Sequence, residues 1–240
     1  MKKILQKSEI FKYTNSSDGF KIFKALEIYN IFKNTLHDEL ENKFSKFNLS
    51  FSELINYIAF NKFEDIKIKK NRLLNKENSK RLEKLIFNYL NLSENDGFIS
   101  DEEIIGYPNF NWRLVRGNSP ADVGPVHADK WFWDLNKDLE LSPNSTRIKV
   151  WIPLIQNDTE YSLIVLPGSH KEKYDYDSII ESGTNKIKPL INNKYILKMQ
   201  PAIIPIGSLI VFNDNLLHGG VSVPNLRNSI EFTLIINLNT

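Results

Sequence analysis

Apolar residues recur along the first half of the chain at helical spacing. Ile22, Leu26, Tyr29, Phe32, Leu36, Leu40 and Phe44 fall three or four positions apart within residues 18–46. That period puts one apolar stripe on a helix and predicts that the stripe packs on something larger. Ser50 and Glu53 form a capping-box signature and open a second helix running to Asn61. Leu82, Leu85, Ile86 and Tyr89 predict a third helix over 79–92, with that face directed inward. Asn95, Asp96 and Gly97 read as a turn, and Ser100 with Glu103 as the cap of a short helix.

From Trp112 the period changes. Short β-like runs at 112–117, 125–129, 146–154, 161–166, 195–198, 202–204, 208–213 and 228–237 are punctuated by Pro and Gly. Many short strands in so few residues suit a double-sheet jelly roll, whose mouth lets side chains from several strands converge. The segment 171–194 is polar, carries Tyr174, Asp175, Tyr176 and Asp177, and is long enough to act as a lid. The expected fold is therefore mainly β with N-terminal helices: a double-stranded β-helix (jelly roll, cupin-like) core over 112–240, preceded by a mostly helical part over 1–111. At 240 residues and 41% hydrophobic content, one domain with one core is the expected organisation.

Composition narrows the function classes. With 31 basic and 29 acidic residues the net charge is +2, so nothing draws the chain to nucleic acid in general. The run Lys67–Lys70 reads as a solvated face. Cysteine is absent, which excludes disulfides and thiolate metal sites and fits a reducing compartment. The opening MKKILQKSEIF lacks an apolar region of signal-peptide length, and no stretch is long enough to span a bilayer. A soluble cytoplasmic protein acting on a small molecule is expected, without nucleic-acid or membrane partners; oligomeric state is not legible.

The candidate chemistry lies in the second half. His127 and Asp129 are two apart, so on an extended segment they point to one side and can grip one metal. His218 sits in a Gly-flanked loop between two strand-like runs and can supply a third ligand from elsewhere. Two imidazoles and one carboxylate on one face of an octahedral metal are the ligand set of non-haem Fe(II) oxygenases. Arg227 and Ser229 again share a face, and a guanidinium fork with a hydroxyl suits a carboxylate. Taken singly, His127 and Asp129 also fit a polar surface turn, and Arg227 a surface hairpin. His37 reads as an ordinary helix residue, and His170 as a shaper of its own loop.

The chain resembles the phytanoyl-CoA dioxygenase family of Fe(II)/2-oxoglutarate oxygenases. The resemblance spans Trp112 to Asn237. It rests on VHAD (Val126–Asp129), KVWIPL (Lys149–Leu154), LIVLPGSHK (Leu163–Lys171) and the GSLIVFNDNLLHGG…RNS run (Gly207–Ser229), in the family's order. It implies Fe(II) held by His127, Asp129 and His218, with Arg227 and Ser229 on the distal carboxylate of 2-oxoglutarate. Trp151 matches a tryptophan lining the co-substrate pocket, although a strand Trp also fits plain core. The implied reaction consumes O2 and 2-oxoglutarate, releases succinate and CO2, and hydroxylates an aliphatic C–H. Related halogenases carry a small residue at the place of Asp129, so the retained carboxylate favours hydroxylation, or a desaturation variant.

Substrate recognition is less legible. Trp131 and Trp133 follow the metal pair and read either as an aromatic wall over the substrate or as barrel-edge packing. Arg113 and Arg116 cannot both face one side of a strand, and Arg116 is the candidate for an anionic group. Rival readings are a cupin-type metal enzyme without 2-oxoglutarate and a non-catalytic jelly-roll binding module. The Arg227/Ser229 pair argues against the first, the intact triad against the second. No G-x-S-x-G elbow supports a serine hydrolase. The expected substrate is a small metabolite of specialised or surface-glycan metabolism.

Overall fold

The computed structural model describes residues 7–44, 48–67, 69–100, 108–135, 142, 144–156, 163–180, 187–191 and 193–238. The first half contributes α1 (Lys7–Thr14), β1 (Phe20–Lys24), α2 (Leu26–Phe44), α3 (Phe51–Asn61), α4 (Phe63–Lys67), a 3-10 turn (Lys69–Arg72) and α5 (Lys76–Leu90). The capping box forms as expected: the Ser50 hydroxyl accepts from the Glu53 amide at 3.4 Å, and the Glu53 carboxylate accepts from the Ser50 amide at 2.9 Å. The predicted first helix begins later than its period implied. Phe20–Lys24 is a strand, so Ile22 continues a sheet rather than a helical stripe. The third helix starts earlier, because Asn75 caps it by accepting from the Asn78 amide at 2.9 Å. Ser100 ends a strand, and the short helix expected after it, with Glu103, lies outside the described residues.

The remaining elements are β2 (Gly97–Ser100), β3 (Asn111–Val115), α6 (Asp129–Leu135), β4 (Ser145–Ile155), β5 (Leu163–Val165), β6 (Tyr176–Ile180), β7 (Ile187–Ile191), β8 (Gln200–Ala202), β9 (Ser208–Asn213), β10 (His218–Gly220) and β11 (Arg227–Asn237). A large antiparallel sheet runs β1-β9-β4-β11-β2, with β3 also paired to β11. A smaller sheet runs β10-β5-β8. The segment 171–194 contains the hairpin β6-β7. Residues 195–198, expected as a strand, belong instead to a 3-10 turn over Asn193–Lys198. The expected strand at 125–129 is absent too: His127 makes only a bridge to His218, and Asp129 already begins α6.

Alternation along the strands sets the layers. Ile148, Val150, Ile152 and Leu154 of β4 pack with Ile230, Phe232, Leu234 and Ile236 of β11 in the core shared with the helices. Phe32 of α2 stacks on Phe232 with centroids 5.9 Å apart, and Phe110 closes on Phe232 at 5.0 Å. Helices thus cover one face of the large sheet. The intervening residues of the same strands face the small sheet, where Trp151, Ile210 and Phe212 meet Leu163, Val165 and Ala202. This is the expected jelly-roll core, and the space between its sheets is where the polar residues gather. A cavity of about 290 Å³ lined by Ile10, Ile28, Ile86 and Phe232 lies on the helix-covered side of the large sheet, away from them. Among the described residues no helix is long and apolar enough to cross a membrane.

Candidate metal centre

His127 and His218 are joined through their backbones, each amide donating to the other's carbonyl at 2.9 Å. This bridge ties the chain before α6 to β10 and sets the two imidazole centroids 4.6 Å apart. Each ring is oriented by its Nδ1, which lies 2.8 Å from the Pro125 carbonyl in His127 and 3.0 Å from the Leu216 carbonyl in His218. A carbonyl there selects the tautomer with the proton on Nδ1 and leaves Nε2 as the electron-pair donor. Asp129 arrives on the first turn of α6. Its Oδ1 lies 3.5 Å from His127 Nε2, and its Oδ2 lies 3.7 Å from His218 Nε2. The three ligand atoms lie within 4.8 Å of one another, and this is the group among the described residues that can hold a metal ion. The Asp129 Oδ2 is buried and accepts no hydrogen bond, so an electron pair is left for a cation.

The glycines after His218 serve close approach. A Cβ at Gly219 would come within 3.0 Å of the Val126 side chain, and one at Gly220 within 3.0 Å of Arg227 Nη2. The latter contact lays the guanidinium of β11 along β10, next to the bridge that holds both histidines.

Burial works against the charge on Asp129, but Lys149, then His218 and His127, outweigh it and hold the carboxyl well below its usual range. Burial drives His218 down to about 4, against the pull of Asp129, so the ring is neutral at neutral pH as a ligand must be. Lys149 projects from β4 into the same space, with its Nζ 3.7 Å from Asp129 Oδ1. Glu231 of β11 is buried as well, yet Arg113 and Lys149 bring it down to about 2. Its Oε1 accepts from Arg113 Nε at 2.7 Å. Sequence reasoning missed Lys149 and Glu231. The available signal was a charged residue inside otherwise apolar strand runs, IKVWIPLI and SIEFTLII.

The sheet face opposite the helices carries the other expected residues. Arg227, Ser229 and Glu231 alternate with the helix-facing Ile230 and Phe232, and Trp151 sits across from Glu231 in register. Burial lowers Arg227 to about 10, with Arg113 acting in the same direction and Glu231 against it. Arg227 therefore remains cationic at neutral pH. Trp151 packs in the apolar cluster between the sheets.

The aromatic run after Asp129 is helical. Trp131 packs with Ile164, Leu166, Tyr174 and Tyr176, and stacks on Tyr176 at 4.3 Å. Trp133 lies under the Arg147 guanidinium, 3.9 Å from ring centroid to Cζ. The phenyl rings next to the two histidines are Phe132, edge-on to His127 at 5.2 Å, and Phe212, tilted against His218 at 4.6 Å. Arg116 is engaged away from the triad: it pairs with Asp122 at 2.8 and 2.9 Å and stacks over Phe63 at 3.6 Å. His37 joins α2 to the start of α3 through the Leu49 carbonyl at 2.8 Å, and the His170 carbonyl accepts from Asn215 at 2.9 Å.

The sequence profile of the phytanoyl-CoA dioxygenase (PhyH) family matches residues 31–225. No curated protein sequence matches. Among solved structures, EvdO2 from Micromonospora carbonacea var. aurantiaca is similar at a TM-score of 0.52 and 12% identity, covering 92% of this chain and 87% of that one. The same protein complexed with 2-oxoglutarate is similar at 0.51. EctD from S. alaskensis, with 2-oxoglutarate and 5-hydroxyectoine, is similar at a TM-score of 0.52 and 12% identity, covering 91% of this chain and 72% of that one. These likenesses share the fold, and the profile, spanning well over half of the chain, gives the kinship: the protein belongs to the phytanoyl-CoA dioxygenase family of non-haem Fe(II)/2-oxoglutarate-dependent dioxygenases.

Proposed function

We propose that the protein hydroxylates an aliphatic C–H of a small metabolite, releasing succinate and CO2. The observation that carries this reading is the retained carboxylate: Asp129, buried between two imidazole Nε2 atoms, keeps Oδ2 free of hydrogen bonds. Fe(II) held there with 2-oxoglutarate would supply the oxidation of the C–H bond by O2. The residues present fit that ion, since two imidazole nitrogens and one ionised oxygen lie within 4.8 Å of one another and Phe132 flanks the group without donating a ligand.

The chain's own work is binding, orientation and exclusion of water. His127 and His218 offer Nε2 because backbone carbonyls occupy their Nδ1 sides. Arg227 and Ser229 would receive the distal carboxylate of 2-oxoglutarate, the guanidinium by its donor fork and the serine by its hydroxyl. Trp151 would form an apolar wall of that pocket. Asp129 occupies the place that a halide would need. Trp131 and Trp133 are better suited to support α6 than to touch substrate, given their partners.

The test is product analysis under isotopically labelled O2 with a panel of small metabolites. One labelled oxygen atom in the product, matched by one succinate, is the expected result. A halogenated product, or turnover without 2-oxoglutarate consumption, would sink the reading.

A further inference from the structure

The helical half sets one arginine at the edge of the large sheet, beside β3. After α4 the chain turns through Lys69–Arg72 and then lies along the start of β3: Leu73 bridges to Asn111, and the Leu74 amide donates to the Phe110 carbonyl at 3.1 Å. Arg72 is thereby set where its charge acts on Arg113 of β3 and Glu231 of β11. Its side chain is half-buried, and Nε is closed off from solvent with no hydrogen-bond partner. Among the described residues Arg72 forms no ion pair or hydrogen bond. The nearby Glu231 carboxylate is engaged by Arg113 at 2.7 Å.

A guanidinium Nε kept from water without an acceptor is unfavourable, and Arg113 adds repulsion that Glu231 only partly offsets. An oxyanion relieves both. The Arg113 side chain is itself 45% exposed. On the proposed function, Arg227 and Ser229 take the far end of 2-oxoglutarate and the metal takes the near end. Arg72 is then left for a different anion. We propose that Arg72 forms an anion-binding subsite at the β3 edge of the sheet that carries the metal centre, and that the primary substrate carries a carboxylate or phosphate held there. This rests on the oxygenase reading. It also gives the N-terminal helical part a role in substrate choice, because the turn between α4 and α5 is what places Arg72.

The test uses the full chain loaded with Mn(II) and saturating 2-oxoglutarate, probed with inorganic phosphate by phosphorus NMR relaxation and with acetate by proton NMR. Wild type is expected to bind one or both anions while 2-oxoglutarate stays bound; preference between them tells phosphate from carboxylate. Arg72→Met should weaken that binding about tenfold or more. Arg72→Lys should weaken it less, and both variants should keep wild-type affinity for 2-oxoglutarate. Equal anion binding in Arg72→Met, or no anion binding in wild type, overturns the subsite. So does a parallel loss of 2-oxoglutarate affinity, which would put Arg72 in the co-substrate clamp. Failure of wild type to bind 2-oxoglutarate at all would instead count against the function proposed above.

Discussion

Lys149 Nζ lies 3.7 Å from Asp129 Oδ1, with both side chains almost fully buried, while the other carboxylate oxygen of Asp129 accepts no hydrogen bond. The lysine therefore steadies one oxygen and leaves its twin for a cation. It also acts on Glu231, so one ammonium serves two buried carboxylates. Lys149→Met leaves both underneutralised. Breaking a buried pair in this way costs about 3–5 kcal/mol, or a fall in Tm on the order of 10 °C for the metal-free protein. A divalent cation replaces part of the lost charge, so the Tm gain on adding Mn(II) should be larger in the variant than in wild type. Calorimetry with and without Mn(II) checks this, and an equal gain would mean that Lys149 is not coupled to the metal site.

Asp129→Ala removes the only anionic ligand of the triad. Metal affinity should fall by more than about tenfold and hydroxylation should disappear. Full activity in this variant would remove the triad from the chemistry.

Arg227→Ala should act mainly on the co-substrate. Loss of a charge-assisted contact costs about 1.5–3 kcal/mol, which raises the 2-oxoglutarate requirement about tenfold to a hundredfold. Ser229→Ala should cost less, since a neutral hydroxyl contributes about 0.5–1.5 kcal/mol. Steady-state kinetics at varied 2-oxoglutarate separates the two, and an unchanged requirement in Arg227→Ala would place the clamp elsewhere.

Asp214, on the turn between β9 and β10, is pushed up to about 7 by burial, although Arg147 4.0 Å away opposes the shift. The folded protein holds this proton more tightly than the unfolded chain, where the ordinary value is 3.8. The group's stabilising proton is therefore fully in place below about 4 and is lost as pH rises through about 7. Asp214→Asn should flatten this decline, by at most about 1.4 kcal/mol per pH unit. Denaturant unfolding from pH 5 to pH 8 checks it; identical slopes in wild type and variant would show that Asp214 does not carry the shift.

Much of the site was legible because its chemistry is written locally. His127, His218, Arg227 and Ser229 stand in short motifs whose neighbours fix their strands, and the alternation of β4 and β11 separated the core face from the site face. Asp129 was found by an extended-strand argument, but it reaches the metal side from the first turn of a helix. Trp131 and Trp133 ride on the same helix, so the period of a strand does not set their directions. β1 was hidden because its partner is β9, a strand far along the chain, and no local period records such a pairing. Lys149, Glu231 and Arg72 were hidden for a related reason: their surroundings are assembled by sheet register and by the turn before α5.

The most direct test of the metal and co-substrate site is anaerobic titration of the Fe(II)-loaded protein with 2-oxoglutarate, followed by visible absorption. A weak, saturable charge-transfer band that is lost in His218→Ala is the expected result. Iron binding that never produces the band, at any 2-oxoglutarate concentration, would contradict it.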